Sequence, residues 1–284
     1  MSVLRSRFAR FGCYVAWGIW LTWSCVVGAA AAFPPSPEVI ELSGGAPDKP
    51  IPCSVYRPDP LPEAGKAGLV IHLYGHHGTH LEHNAGRKPF EKLRQLLAER
   101  GYWLVVPNLG LSHWMNNEAV ENVDRVIDQM VSKYGVDRGQ VSLLGSSMGG
   151  GGSLVYVTRR PGKIRSVVSV FPMIDYRDWE KERGEGVARL IVGAHGGEYD
   201  KREELLRDLS PTEHLDAFRT TAVYLLHGDK DETCLLSHSQ KFAKQLREKG
   251  YPVVLQEVPG AGHSDTIMED YQIDAADFLT GRKK

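Results

Sequence analysis

The 284-residue chain has little cysteine, only Cys13, Cys25, Cys53 and Cys234. A fold held by a dense disulfide framework is therefore excluded. Neither sign of charge dominates: 34 basic against 35 acidic residues leave a net charge of −1. There is no basic patch, so nucleic acid is not an expected partner. No segment repeats at a period of 20–50 residues, and no low-complexity tract exceeds a short alanine run, which excludes solenoids and arrays. What remains is a globular composition, 42% hydrophobic and 24% charged, at a length one large α/β domain can occupy.

The N-terminus departs from the rest. Arg5, Arg7 and Arg10 precede an uncharged apolar stretch, Phe11 to Val27, which is followed by small residues up to Ala32. Basic, apolar and small segments in that order predict a secretory signal, residues 1–32, and a secreted or periplasmic protein without stable membrane association after cleavage. A retained anchor is the alternative, because the apolar run is long. A lipid attached at Cys25 is disfavoured, since Trp23-Ser24 makes a poor lipobox. Removing 1–32 deletes three arginines and no acid, leaving 31 basic and 35 acidic residues and a charge of −4. Cys53 and Cys234 remain, either bridged or as two separate buried thiols.

Residues 33–50, rich in Pro and Gly, read as a leader. Beyond them, strand-like and helix-like patterns alternate. Strands are expected at Ile51–Arg57, Leu69–Tyr74, Tyr102–Val106, Val141–Leu144, Ile164–Phe171, Ala222–Leu226 and Pro252–Val258. Helical spacing marks Lys88–Arg100, a segment through Val120 and Met130 closed by Gly135, a segment from Ser147 through Tyr156, Leu235–Lys249 and Thr266–Leu279. This alternation predicts a single α/β domain over 33–284: a mainly parallel central sheet with helices on both faces. Ligand sites in such sheets lie at the carboxyl ends of the strands.

Gly145-Ser146-Ser147-Met148-Gly149 matches G-x-S-x-G where a strand runs into a helix. A turn that sharp brings backbones together, so its flanks must be small, and it lifts the Ser147 hydroxyl above the sheet. The Met148 N–H then faces the reacting centre at a helix start, where negative charge is favoured. A serine nucleophile needs a base, and the base needs an orienting carboxylate. Leu225-Leu226-His227-Gly228-Asp229-Lys230-Asp231 ends one strand, and Pro259-Gly260-Ala261-Gly262-His263 follows the next.

From about Leu69 onward the chain resembles α/β hydrolases, closest to the dienelactone-hydrolase and prolyl-oligopeptidase-like branches. LYGHHG, GSSMGG, LLHGDKD and PGAGHSD carry the resemblance. It implies Ser147 as nucleophile, Asp231 as acid and His263 as base. Cys234-Leu235 stands where many relatives have Val-Pro. Asp229 and Asp175 are the rival acids, and His227, before a tight turn, reads as structural. In the oxyanion hole, His76 is expected to donate its backbone N–H beside Met148, with His77 as the alternative. His72, His76, His77, His80 and His83 also raise a metal site. No metal or other cofactor is expected, because the histidines can simply line the mouth of the site. Trp114, Trp179 and His195 are candidate pocket residues that packing also explains.

The expected chemistry is hydrolysis through an acyl-enzyme. The primary expectation is a small-molecule carboxylic ester, with a prolyl-oligopeptidase-like peptidase or amidase as the alternative, since no propeller precedes the domain. A catalytically silent binding protein on the same fold is the third reading. The segment 172–221 is expected to be a small, solvated, highly charged cap, loosened by its glycines and without an apolar helical face. Short soluble esters would suit such a cap better than lipid emulsions.

Overall fold

Every residue of Ala67–Leu73 is buried, as in a strand flanked by strands and covered on both faces. The computed structural model describes residues 38–42, 50–83 and 88–282. The predicted export signal, 1–32, lies outside the described residues. Among those described, eight strands form one sheet: β1 (Glu38–Leu42), β2 (Ile51–Tyr56), β3 (Ala67–Leu73), β4 (Tyr102–Pro107), β5 (Val136–Ser146), β6 (Ser166–Val170), β7 (Ala222–Gly228) and β8 (Val253–Val258). Their spatial order is β1-β2-β4-β3-β5-β6-β7-β8. The β1–β2 and β2–β4 pairs are antiparallel, and all others are parallel.

The period-2 alternation of strand side chains divides the core in two. Leu69, Ile71, Leu143, Val167 and Leu225 face one side, where they meet α2 (Asn117–Tyr134), α3 (Met148–Arg159) and α7 (Leu236–Glu248). Val70, Leu144, Val168 and Leu226 face the other, against α1 (Lys88–Glu99) and α8 (Gln272–Thr280). Each fully buried Val, Leu or Ile contributes about 1.5–3 kcal/mol. Helix α2 shows how local signals set the limits. The Asn116 side chain accepts the Ala119 N–H at 2.9 Å at its start, and Gly135 at φ 67° stops it.

The structure corrects three sequence expectations. Within the presumed leader, Glu38–Leu42 is a strand, with Ile40 opposite Cys53. It lies at the sheet edge with Glu38, Val39 and Glu41 exposed, so pairing rather than an apolar pattern makes it a strand. The closing helix is broken: a 3₁₀ turn, Asp265–Met268, precedes α8. Ile267, Met268, Ala275 and Leu279 share one core across the break, which is why the spacing reads as one helix. Third, the 172–221 insertion is packed rather than loose. It contains α4 (Tyr176–Arg183), α5 (Glu185–Ala194) and α6 (Arg202–Leu209). Helix α5 does have an apolar inner face, with Ala188 and Ile191 in the main core. On α4, the Trp179 Nε1–H donates to the Thr233 carbonyl at 2.9 Å.

Cys53 and Cys234 are both buried, free thiols. Burial pushes the Cys53 thiol up to about 12 and raises Cys234 as well. Only the thiolate is a good nucleophile. Native protein treated with iodoacetamide at pH 8 should therefore carry no label on either residue, and urea-unfolded protein should carry it on both. Peptide mass mapping checks this; labelling of native Cys234 would contradict the packing described.

Candidate active site

Strand β5 ends at Ser146 and α3 begins at Met148, so Ser147 alone makes the turn, with φ 54° and ψ −117°. That conformation is strained for a residue with a β-carbon and persists only where the surroundings impose it. The surroundings here are close. A β-carbon on Gly145 would lie 2.2 Å from the Gly149 carbonyl oxygen, and one on Gly149 would lie 1.9 Å from that of Leu73. The Ser147 N–H is tied to the Val170 carbonyl at 3.0 Å. The turn is thus fixed by β3, β5 and β6 together.

The Ser147 hydroxyl lies 2.8 Å from His263 Nε2, and His263 Nδ1 lies 2.8 Å from Asp231 Oδ2. The other carboxylate oxygen, Oδ1, accepts the backbone N–H groups of Thr233 (2.8 Å) and Cys234 (2.9 Å). The acid loop is therefore held by its own amides, with Cys234-Leu235 in place of Val-Pro. Burial alone would raise the Asp231 carboxyl. Hydrogen bonds from His227, His263 and the Cys234 amide outweigh it and hold the group below the usual carboxylate range.

The rival acids point elsewhere. Asp229 accepts the Gly260 N–H at 2.7 Å and so braces the loop that carries His263. Asp175 caps α4 through the Asp178 N–H and pairs with Lys241 at 2.9 Å. On the loop after β3, a β-carbon on Gly75 would be 3.6 Å from that of Ser147, so this loop abuts the nucleophile. The His77 N–H is committed to the Leu111 carbonyl at 2.9 Å, which disfavours His77 as an oxyanion donor. Burial, then neighbouring His77, lowers the His76 imidazole and favours its neutral form.

The five clustered histidines do not converge. His72 and His83 form a buried pair at 2.7 Å, His76 meets Ser112 at 3.1 Å, and His80 meets Ser54 at 2.9 Å. Among the described residues no three His, Cys, Asp or Glu side chains are placed to hold a metal ion. Trp114 and His195 are engaged in packing: the Trp114 Nε1–H donates to Ser112 at 2.8 Å, and the His195 Nε2–H donates to the Trp114 carbonyl at 3.1 Å. One neighbour of the site was missed from sequence. The Phe171 ring packs 4.4 Å, centroid to centroid, from the His263 imidazole, from a backbone at φ 35°. Only its position at a strand end hinted at this.

The acid has a consequence for stability. Carboxyls with folded values below their unfolded value (about 3.9) stabilise the fold above that value and lose their contribution as pH falls toward the folded one. Asp231 behaves this way, and so does Asp178, held down to about 2 chiefly by Lys241. Imidazoles that burial lowers from their ordinary value, His76, His113 and His195, act in the same direction from about 6.5, so the melting temperature should decline as pH falls below about 6.5 and further below about 4. Circular dichroism against pH tests this, and a melting temperature unchanged down to pH 2 would contradict it.

Solved structures similar to this chain include a puromycin-hydrolyzing peptidase from Mycobacterium tuberculosis. It matches with a TM-score of 0.72 and 19% identity over 86% of this chain and 38% of that one. Acylaminoacyl peptidase from Pyrococcus horikoshii matches with a TM-score of 0.69 and 16% identity over 87% of this chain and 41% of that one. At these identities the likeness establishes the α/β-hydrolase fold. The chain spans less than half the length of either protein. The sequence model of the prolyl oligopeptidase family matches residues 89–280, a span that contains Ser147, Asp231 and His263. The chain therefore belongs to the prolyl oligopeptidase family of serine hydrolases.

Proposed function

We propose that this chain cleaves peptide or amide bonds of short acylated or aminoacylated substrates through an acyl-enzyme on Ser147. The observation that carries the proposal is the unbroken pair of 2.8 Å hydrogen bonds from Ser147 through His263 to Asp231. His263 Nε2 takes the hydroxyl proton as Ser147 Oγ bonds to the substrate carbonyl carbon. The resulting oxyanion is stabilised by the N–H groups of Met148 and His76. His263 then protonates the leaving nitrogen as the C–N bond breaks. A water, deprotonated by His263, displaces Ser147 and releases the acid.

The preference for amides over the expected esters rests on family membership and on the peptidases among the similar structures. An ester's leaving alkoxide needs less help from His263, so the same site is expected to cleave esters too. A discriminating experiment pairs an N-acyl-aminoacyl p-nitroanilide with the p-nitrophenyl ester of the same acyl group. Turnover of both, abolished by a fluorophosphonate, is the expected result. Ester turnover with no anilide cleavage above background would restore the esterase reading. Failure of both, without covalent labelling, would mean a silent binding protein.

A further inference from the structure

Two histidines contact the Asp231 carboxylate, and the triad uses one of them. The second is His227, near the end of β7. Its side chain and that of Asp231 are completely buried. His227 Nε2 lies 2.7 Å from the Cys234 carbonyl oxygen and 3.3 Å from Asp231 Oδ2. A carbonyl can only accept, so Nε2 carries the proton. Nδ1 lies 2.8 Å from the Ser239 hydroxyl on α7. In the neutral ring Nδ1 is the acceptor, so the Ser239 O–H donates to it and fixes the tautomer. Nε2–H is thereby directed at the Cys234 carbonyl, and Oδ2 is the second, longer contact of the same nitrogen.

Oδ2 is the oxygen that also accepts from His263 Nδ1–H. With the Thr233 and Cys234 amides on Oδ1, three hydrogen bonds and the longer His227 contact surround the roughly four lone-pair sites of a carboxylate. Without His227, Oδ2 would keep only the bond to the moving partner, the imidazole that gains and loses a proton in each step.

We propose that His227 is a positioning residue of the triad: its Nε2–H on Asp231 Oδ2 fixes the carboxylate against His263 and moderates that oxygen's pull on the imidazole. The proposal rests on reading Ser147, His263 and Asp231 as an acyl-transfer triad. The working array becomes Ser239–His227–Asp231–His263–Ser147. The groups facing its two imidazoles are Asp231 and Ser239 at His227, and Asp231, Ser147 and the Phe171 ring at His263. Nearby, Cys234 adds a buried thiol that Arg183 reaches electrostatically.

The test is the pH dependence of kcat and kcat/KM for wild type, His227→Leu, His227→Asn and His227→Gln, on one chromogenic substrate, with thermal unfolding measured alongside. His227→Leu should lower kcat about tenfold to a hundredfold, the worth of one hydrogen bond to a charged group, with KM unchanged. The acid limb should move to higher pH, because Oδ2, relieved of one donor, holds the imidazolium more tightly. His227→Gln, whose amide nitrogen reaches the position of Nε2, should restore both. If the leucine variant does not fold, His227→Asn, polar but too short to reach, should show the same loss. Variants that are less stable but keep the wild-type kcat and acid limb would overturn the proposal, as would a glutamine variant no better than leucine or asparagine. Turnover surviving Ser147→Ala would overturn the triad reading as well.

Discussion

Replacing Ser147 with alanine lowers kcat/KM by about 10⁴-fold or more and leaves the fold intact. The size of the loss follows from what remains. Alanine keeps the β-carbon and the strained φ of 54°, so the elbow, the Met148 N–H and His263 stay in place. The surviving groups can still polarise a carbonyl, which accounts for residual activity above the uncatalysed rate, but no acyl-enzyme can form. Steady-state kinetics on the p-nitrophenyl ester, with circular dichroism as the control for folding, decides it. A variant that retains more than a tenth of the wild-type rate would place the nucleophile elsewhere.

Asp231→Asn is the second large effect, at about 10⁴-fold in kcat. The amide offers His263 Nδ1 either an N–H, which forces the wrong tautomer, or a carbonyl oxygen without charge to stabilise the imidazolium. On Oδ1 the Thr233 and Cys234 amides hold the substituted side chain in place, so the loss comes from electrostatics and tautomer rather than misplacement. Asp175→Asn is the control. That residue caps α4 and pairs with Lys241, so its loss should cost about 1–3 kcal/mol of stability with kcat near wild type. Equal losses of kcat in the two variants, or the reverse ranking, would remove Asp231 from its assigned place.

The features legible in the sequence were those whose cause is local. An elbow between strand and helix needs small residues at fixed offsets, and Gly145 and Gly149 sit where any β-carbon would strike backbone. Strand ends are marked by apolar runs giving way to glycine, so the segments carrying Asp231 and His263 could be placed on one edge of the sheet. Features set by distant partners were hidden. β1 is a strand because Ile51–Tyr56 pairs with it, which no pattern in Glu38–Leu42 announces. The apolar face of α5 is concealed by the density of charge in the rest of the insertion. His227 looked structural because its relation to Asp231 depends on Ser239, twelve residues away on another element. Phe171 carries no local mark of its approach to His263. The histidine cluster misleads for a related reason. The pleat turns His72 toward Phe90 and His83, while His76 lies on the far loop beside Trp114.

The Ser147 hydroxyl oxygen, 2.8 Å from His263 Nε2, is the atom to be acylated in turnover. The most direct measurement is tandem mass spectrometry of the wild-type chain after reaction with a fluorophosphonate, mapping the adduct to a single residue. One adduct per chain is expected, on Ser147 and not on its neighbour Ser146, and none on protein unfolded before treatment. An adduct on any other residue, or no adduct on folded protein that turns over substrate, would contradict it.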